Sequence, residues 1–299
     1  MSQSIYFHAD AVRQLILSEP LLSEWDDCRR LLLNSLDGTP PSILALPIIA
    51  CLAAGGSATD GAQVAAGWLV LNHALHLLDD VEDGDFAPDG DVDTAEKLLN
   101  ISTASMFIAH HFLSRLQSSE GSASVVKVFT ECGFMATQGQ HMGFNSVPPQ
   151  LDEAIHSYWQ ATILKSGSLF RMACAGGAAA GTDSPDLIEA LGDFGTSIGV
   201  ILQVLDDCRD MLDEKSGKRE ISLPVLLYST ALRGQEIVFP ESRSSLQGTG
   251  VPETVTATLT AWWQRAQDSL NHLEPSDAKE TLNEILQNIT GVPVWGEVQ

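Results

Sequence analysis

Apolar residues recur every three or four positions along most of the chain, the spacing that gives an α-helix one apolar face. Strict alternation of apolar and polar residues beside hairpin turns, which would indicate β-strands, does not occur. The pattern predicts helices over residues 5–36 with an interruption near Pro20, and over 42–54, 60–83, 94–117, 121–145, 151–180, 185–213, 222–232, 252–273 and 277–289. We therefore predict an all-α fold, a bundle of about ten helices that forms one domain over residues 1–299.

The composition and charge exclude several classes of protein. Of the 299 residues, 44% are apolar and 18% are charged, which is too apolar for a disordered chain and enough for a large core. The net charge of −23, from 39 acidic and 16 basic residues, opposes binding to nucleic acids and to anionic membranes. The longest apolar run, residues 43–56, is shorter than the roughly 20 residues that a membrane-spanning helix needs. We therefore predict neither a nucleic-acid partner nor an integral membrane protein.

The cysteines indicate the compartment. Their number is odd, their spacing is wide and no C-x-x-C pair occurs, which favours neither a disulfide framework nor a zinc site. Such cysteines are typical of small core side chains in a reducing compartment. We predict a cytoplasmic protein whose cysteines are buried and free: Cys28, Cys51, Cys132, Cys174 and Cys208.

Two copies of the motif D-D-x-x-D carry the candidate chemistry, and each follows a strongly apolar run. On a helix, the first and last aspartates share a face and the second one flanks it. Three carboxylates this close repel one another, and a hard cation such as Mg²⁺ would offset the repulsion while it also binds phosphate oxygens. The alternative interpretation is an acidic helix end that is simply exposed to solvent. Because the motif occurs twice, this interpretation explains the pattern far less well. The two candidate metal clusters are Asp79, Asp80 and Asp83, and Asp206, Asp207 and Asp210.

The motifs and their surroundings resemble the trans-isoprenyl diphosphate synthases over roughly residues 40–230. Members of this family carry two D-D-x-x-D motifs on two long helices of an all-α bundle around a central cavity, the isoprenoid synthase type I fold. Further matches agree with the family in order and spacing: Gly139-Gln140, the segment K-S-G-S-L-F over 165–170, the segment that starts at Phe194-Gly195 and ends with the second motif, and Ser222-Leu223-Pro224.

The resemblance implies an enzyme that ionises an allylic prenyl diphosphate and works as a homodimer. It implies that all six aspartates are catalytic and bind Mg²⁺, with about three ions around the bound diphosphate. It places Lys165 on the diphosphate and Gln203 near the reacting chain. Gln140, Lys218 and Arg219 are further candidates for binding the diphosphate or substrate.

The depth of the substrate pocket is expected to depend on the side chains one helical turn before Asp79. These are the small Ala74 and the intermediate Leu75, with Ala66 and Gly67 two turns further down, and the absence of aromatic side chains there favours an allylic diphosphate of about C15 to C20. Aromatic side chains could line the cavity and stabilise a cation, although ordinary core packing is an equal alternative for each. These candidates are Phe144, Trp159 and Phe170.

The chain departs from the family where the second substrate, isopentenyl diphosphate, is held by basic residues. No Lys or Arg occurs between Arg30 and Lys97, and Gly143 replaces the aspartate of the family's G-Q-x-x-D segment. A diphosphate needs cationic donors, so a metal site without this second site favours a class I terpene synthase, a diphosphate lyase. The alternative is a trans-prenyltransferase that condenses an allylic diphosphate with isopentenyl diphosphate. A non-catalytic subunit of a heteromeric prenyl synthase is the third hypothesis.

Overall fold

Helices make up nearly all of the computed structural model, which describes residues 3–84, 94–117, 119–144, 148, 150–212, 221–233 and 236–290. The helices are α1 (Gln3–Leu17), α2 (Pro20–Ser23), α3 (Asp26–Gly38), α4 (Pro41–Ala53), α5 (Ala58–Asp83), α6 (Ala95–Leu113), α7 (Ser119–Gly143), α8 (Leu151–Thr162), α9 (Ser168–Gly181), α10 (Pro185–Leu212), α11 (Leu223–Ala231), α12 (Val251–Leu270) and α13 (Asp277–Thr290). A π-helical turn covers Ile163–Gly167 and a 3₁₀ turn covers Arg243–Leu246. No strand occurs in these ranges, and the predicted all-α fold class is confirmed.

Two predicted helices are interrupted in the structure. The segment 5–36 forms three helices, since the chain breaks before Pro20 and again at Trp25. The segment 151–180 is divided by the π-turn, although its apolar spacing continues across the break. The π-turn widens the helix at the segment that carries Lys165, and such turns occur frequently at functional sites.

The chain divides into two compact units. Unit one comprises Met1–Phe129, Met172–Leu191 and Leu273–Ile285, and it contains the first aspartate motif. Unit two comprises Thr130–Arg171, Gly192–His272 and Leu286–Gln299, and it contains the second. The single domain over 1–299 and the central cavity stay predictions.

Close packing of α5 against α6 positions the first motif in unit one. A Cβ atom on Gly67 would lie 2.8 Å from Cδ2 of Leu113, so α6 packs directly over this glycine and a larger residue would require the Leu113 side chain to shift. Further along the same pair, the buried Ser102 donates a hydrogen bond of 2.8 Å from its hydroxyl to the carbonyl of Ala74. Ser57 caps the start of α5 and the left-handed Gly84, with a φ of 70°, ends it directly after the motif.

In unit two, α8 packs on α11 through a small apolar core. Leu151, Ala154 and Leu226 are buried there, and Ile155 and Tyr158 pack against them. On another side of α8, Trp159 lies 6.4 Å from Trp262 of α12, measured between ring centroids. These contacts fix α8, which leads directly into the π-turn.

Helix α10 is the core helix that carries the second motif. Its segment Pro185–Met211 is long and apolar enough to cross a membrane, but 61% of an 18-residue apolar stretch within it is buried inside the protein. A mostly buried core helix passes the same test of length and composition, so the helix is only weak evidence for a membrane span. All five cysteines are buried and free, as predicted.

Candidate active site

The first motif occupies the last turn of α5, where the electrostatic environment is unfavourable for carboxylates. Asp79 is partly buried, Asp80 and Asp83 are exposed, and the last turn holds no basic residue. The carbonyl end of a helix carries a partial negative charge, which destabilises nearby anions by about 0.3–1 kcal/mol each. This cluster therefore favours a cation supplied from outside the helix.

The second motif lies in the last turns of α10 and divides into two environments. Asp206 and Asp210 are exposed, whereas Asp207 is 7% exposed. Arg209, inside the motif, places Nη1 2.7 Å from Oδ1 of Asp206. The two side chains are more than half exposed, so this ion pair contributes little to stability and can be exchanged for another cation.

Asp207 accepts three hydrogen bonds inside unit two. The hydroxyl of Tyr158 donates to Oδ2 at 2.7 Å, and the backbone N–H of Leu223 donates to the same oxygen at 2.9 Å. Nε2 of Gln203 donates to Oδ1 at 3.0 Å. Leu223 is the first residue of α11, so the carboxylate also binds one of the N–H groups that a helix start leaves without a partner. Asp207 thus connects α8, α10 and the start of α11.

Burial raises the pKa of Asp207, and the three hydrogen bonds lower it again in part. Burial, together with the negative charge of Asp207, raises the pKa of Tyr158 well above its usual value. Tyr158 therefore remains protonated and donates to the carboxylate across the ordinary pH range. A carboxylate with these donors is a poorer candidate for binding metal than its two exposed neighbours, which qualifies its predicted role.

The π-turn that carries Lys165 lies between two helix backbones. A Cβ atom on Gly139 of α7 would lie 2.8 Å from the carbonyl carbon of Leu164. A Cβ atom on Gly199 of α10 would lie 2.8 Å from the carbonyl carbon of Ser166. Real Cβ atoms do not approach so closely, so both glycines of the family-like segments are needed to hold this turn.

A hydrogen-bond chain connects the π-turn to the second motif. The hydroxyl of Ser166, the residue after Lys165, donates to Oε1 of Gln203 at 2.7 Å. Gln203 in turn donates to Asp207. The structure therefore brings together three residues that the sequence predicted for the site, Lys165, Gln203 and Asp207, within one unit. Gln140, next to Gly139, is partly buried on α7.

The donor atoms of the two motifs fit Mg²⁺ in their chemistry, because carboxylate oxygens are the hard ligands that this ion prefers. Within the described ranges, no three His, Cys, Asp or Glu side chains lie close enough together to enclose a metal ion. Mg²⁺ usually binds one or two carboxylates together with water and phosphate oxygens. Open clusters of this kind fit an ion that arrives with a diphosphate.

The predicted pocket residues have different environments. Ala74 is fully buried, Leu75 is partly buried, and Phe170 is partly buried on α9. Phe144 is 53% exposed at the end of α7, which places its ring on the surface of its unit rather than in a buried wall. Trp159 contacts Tyr158 and Trp262 through its ring, so packing accounts for it. Gly67 lies against Leu113 of α6, and the substrate channel expected below Asp79 stays a prediction.

Two predicted residues lie outside the described ranges, namely Lys218 and Arg219. Tyr158 was not predicted for the site, since a lone tyrosine in an amphipathic helix has no distinctive pattern. Its spacing of seven residues from Lys165, two helical turns, is the one signal that could have placed it on the same side of the predicted helix.

Comparison with known proteins identifies the family of the chain. The family model described as polyprenyl synthetase matches residues 43–222. A short chain isoprenyl diphosphate synthase from Methanothermobacter thermautotrophicus is 28% identical over 269 residues, which cover 80% of this chain and 82% of the relative.

Solved structures show the same fold over nearly the whole chain. Geranylgeranyl pyrophosphate synthetase from Pyrococcus horikoshii Ot3 has a TM-score of 0.78 at 17% identity, with 97% of this chain and 98% of that chain covered. Polyprenyl synthase from Caulobacter crescentus CB15, solved with calcium and isoprenyl diphosphate, has a TM-score of 0.71 at 17% identity, with 94% and 97% covered. At such identities the likeness shows the fold alone.

Proposed function

The chain belongs to the polyprenyl synthetase family, and from this premise we propose that it is a trans-prenyltransferase. It condenses an allylic prenyl diphosphate with isopentenyl diphosphate. The carbon–oxygen bond of the allylic substrate breaks and its electron pair leaves with the diphosphate. The double bond of isopentenyl diphosphate attacks the allylic carbon, and loss of a proton gives the longer allylic diphosphate. The family match and the relative favour this reaction over the terpene synthase that the sequence alone ranked first.

The observation that carries the proposal is the acidic last turn of α5. Asp79, Asp80 and Asp83 lie at the negative end of a helix whose last turn has no basic residue. An ion such as Mg²⁺ supplies positive charge there and, when bound, stabilises the negative charge that develops on the departing diphosphate. Asp79 and Asp83, one turn apart, would hold it in unit one, and Asp206 and Asp210 would do so in unit two.

Lys165 is the proposed diphosphate ligand of the chain itself. It is partly buried in a π-turn whose backbone is held by Gly139 and Gly199. A cation on a rigid segment needs little reorganisation when charge develops on the leaving group, which is the basis of electrostatic catalysis. Gln203, which accepts a hydrogen bond from the neighbouring Ser166, is proposed to contact the reacting part of the substrate.

A terpene synthase is the second candidate because of one specific observation. The segment from Arg30 to Lys97 contains no Lys or Arg between its ends, so basic residues for isopentenyl diphosphate must come from elsewhere in the chain. The non-catalytic subunit is disfavoured, because a subunit without activity has no need to keep both aspartate motifs.

The proposed allylic substrate has about C15 to C20, because Ala74 and Leu75 leave more room than aromatic side chains would at the turn below Asp79. Ala74 is fully buried, and its backbone carbonyl accepts a hydrogen bond from Ser102 of α6. The substrate tail would therefore run beside the α5–α6 pair.

A homodimer is proposed from the exposed face of α6 in unit one. Leu99 is 42% exposed and Phe107 is 73% exposed, two turns apart on this face. Phe107 lines a surface groove of about 480 Å³, and Trp25 of α3 lines it as well. An apolar face of this kind suits a second copy of the chain, in which the same face would pack on itself. Light scattering should give the mass of a dimer for the wild type and of a monomer for Phe107→Glu. A monomeric wild type, or a variant with the same mass as a dimeric wild type, would contradict the proposed interface.

The test of function is incubation with Mg²⁺ and allylic diphosphates of C10, C15 and C20, with and without isopentenyl diphosphate. A prenyltransferase gives longer linear diphosphates only when isopentenyl diphosphate is present. Hydrocarbon or alcohol products that form without it would instead establish the terpene synthase. If the chain alone shows no turnover under any condition and a partner chain restores activity, the chain is a non-catalytic subunit of a heteromeric prenyl synthase.

A further inference from the structure

We propose that Tyr158 is a positioning residue that acts through Asp207 and thereby sets the orientation of the metal-binding carboxylates on α10. This inference rests on the proposed function, since it concerns the same Mg²⁺ and diphosphate site. It also assigns different roles to the aspartates of the second motif. Asp206 and Asp210 bind metal, and Asp207 binds protein groups only.

The hydrogen bonds of Asp207 account for most of its acceptor capacity. A carboxylate offers about four lone-pair positions, two on each oxygen. Tyr158 and Leu223 occupy both positions on Oδ2, and Gln203 occupies one on Oδ1. With 7% of the residue exposed, little of the remaining position can reach solvent or a soluble ion. The side chain of Asp206, by contrast, is 58% exposed.

Fixing Asp207 on the inner side of α10 determines where its neighbours point. Adjacent side chains on a helix diverge by about 100°, whereas residues four apart share a face. With Asp207 bound to α8 and α11, Asp206 and Asp210 are turned together to the exposed face. Loss of the Tyr158 hydroxyl would leave Asp207 held by Leu223 and Gln203 alone, and the orientation of both exposed carboxylates would be less well defined.

The same contacts join the metal site to the proposed diphosphate ligand. Gln203 accepts from Ser166 and donates to Asp207, so a displacement of Asp207 is transmitted to the residue beside Lys165. Tyr158 belongs to α8, which runs directly into this π-turn. The network therefore fixes Lys165 relative to the second motif from both ends of the turn.

Substitution of Asp207 by asparagine separates a positioning role from direct metal binding. In Asp207→Asn, the amide oxygen can still accept from Tyr158 and Leu223. The amide nitrogen then faces Gln203, whose own amide can flip to accept from it and to donate to the hydroxyl of Ser166. The variant thus preserves the network and removes only the charge that a metal ligand needs.

The experiment measures binding of inorganic diphosphate in the presence of Mg²⁺ by calorimetry, together with kcat and the melting temperature. Tyr158→Phe removes one hydrogen bond to a charged acceptor, and we expect affinity and kcat to fall by about fivefold to tenfold. We expect Asp207→Asn to weaken binding by less than about threefold, and Asp206→Asn, which removes a metal ligand, by more than about tenfold. Ser166→Ala, which breaks the other end of the network, should change affinity in the same direction as Tyr158→Phe.

Tyr228→Phe is the matched control, because Tyr228 is a partly buried tyrosine of the same unit, and it should match the wild type in all three measurements. Equal losses in Asp207→Asn and Asp206→Asn would make Asp207 a metal ligand and overturn the inference. A lower melting temperature in Tyr158→Phe with wild-type affinity and kcat would reduce its role to stability and overturn the inference as well. Wild-type protein that binds no diphosphate with Mg²⁺ would contradict the proposed function itself, and the inference with it. Should Tyr158→Phe not fold, Ser166→Ala decides the question.

Discussion

Gly139 lies so close to the backbone of Lys165 that α7 and the π-turn are separated only by the glycine's hydrogen atoms. A Cβ atom at this position would be 2.8 Å from the carbonyl carbon of Leu164 and 2.9 Å from its Cβ atom. The obstacle is backbone, which cannot move aside as a flexible side chain can. The position of Lys165 therefore depends on a residue 26 positions away in the chain.

Gly139→Ala should displace the π-turn and with it Lys165. Overpacking of a tight interior contact costs about 1–3 kcal/mol. We expect kcat to fall by at least about tenfold, since small displacements of positioned catalytic groups have large effects on rate. Gly143→Ala is the matched control on the same helix, because a Cβ atom there would meet nothing within 4 Å, and it should keep its activity. Equal activities of the two variants would contradict the role of Gly139.

The metal ligands can be tested one motif at a time. Asp79→Asn and Asp206→Asn should each lower turnover by at least about 10²-fold, comparable to the loss of one preorganised electrostatic contact. Asp60→Asn, in the first turn of α5, is a control on the same helix, distant from the motif. Removal of Mg²⁺ with a chelator should abolish turnover and its return should restore it. Near-normal turnover of either motif variant would refute the carboxylate site.

Much of this site could be predicted from the sequence, because its signals are local. The two D-D-x-x-D motifs, the short family-like segments and the apolar periodicity all depend on residues close together in the chain. The inward orientation of Asp207 could not be predicted, because the middle aspartate flanks the shared face and either side of the helix is possible for it. Only the positions of Tyr158 and Leu223, which are 49 and 16 residues away from it, decide that orientation.

The π-turn could not be predicted for a related reason. Apolar spacing runs continuously from α8 into α9, so the segment resembles one helix of ordinary pitch. The widening at Ile163–Gly167 accompanies the contacts that Gly139 and Gly199 make from two other helices. Tertiary contacts of this kind leave no trace in the local pattern of the segment that they distort.

His73 should make stability depend on pH. It is 4% exposed on α5, and burial, with a further effect of His76, lowers its pKa to about 4. The unfolded chain binds a proton near pH 6.5 that the folded protein excludes, so stability is lost as the pH falls from 6.5 to about 4. At the lower end of this pH interval, the free energy of unfolding has fallen by about 3 kcal/mol, because each pKa unit corresponds to 1.36 kcal/mol.

Urea unfolding of the wild type and His73→Leu between about pH 7 and pH 4 measures this contribution. The variant should lose less stability than the wild type over the interval, by most of that amount. His272→Leu, at an exposed histidine, should follow the wild type. Parallel curves for all three proteins would show that His73 does not stay neutral in the folded state.

The length of the accepted substrate should depend on the side chain at position 74. Ala74 is fully buried on α5, about one turn below Asp79, and its carbonyl accepts from Ser102 of α6. A phenylalanine at this position would fill the space that the proposed tail occupies, so Ala74→Phe should shift the preference from C20 toward C15 or C10 allylic diphosphates. Because overpacking also destabilises the α5–α6 contact by about 1–3 kcal/mol, Leu75→Phe at the neighbouring, partly buried position serves as a second variant. Product lengths would be compared by chromatography at a temperature where both variants are folded. If both fold and still accept the longest substrate as the wild type does, the tail does not pass this turn of α5 and the pocket lies elsewhere.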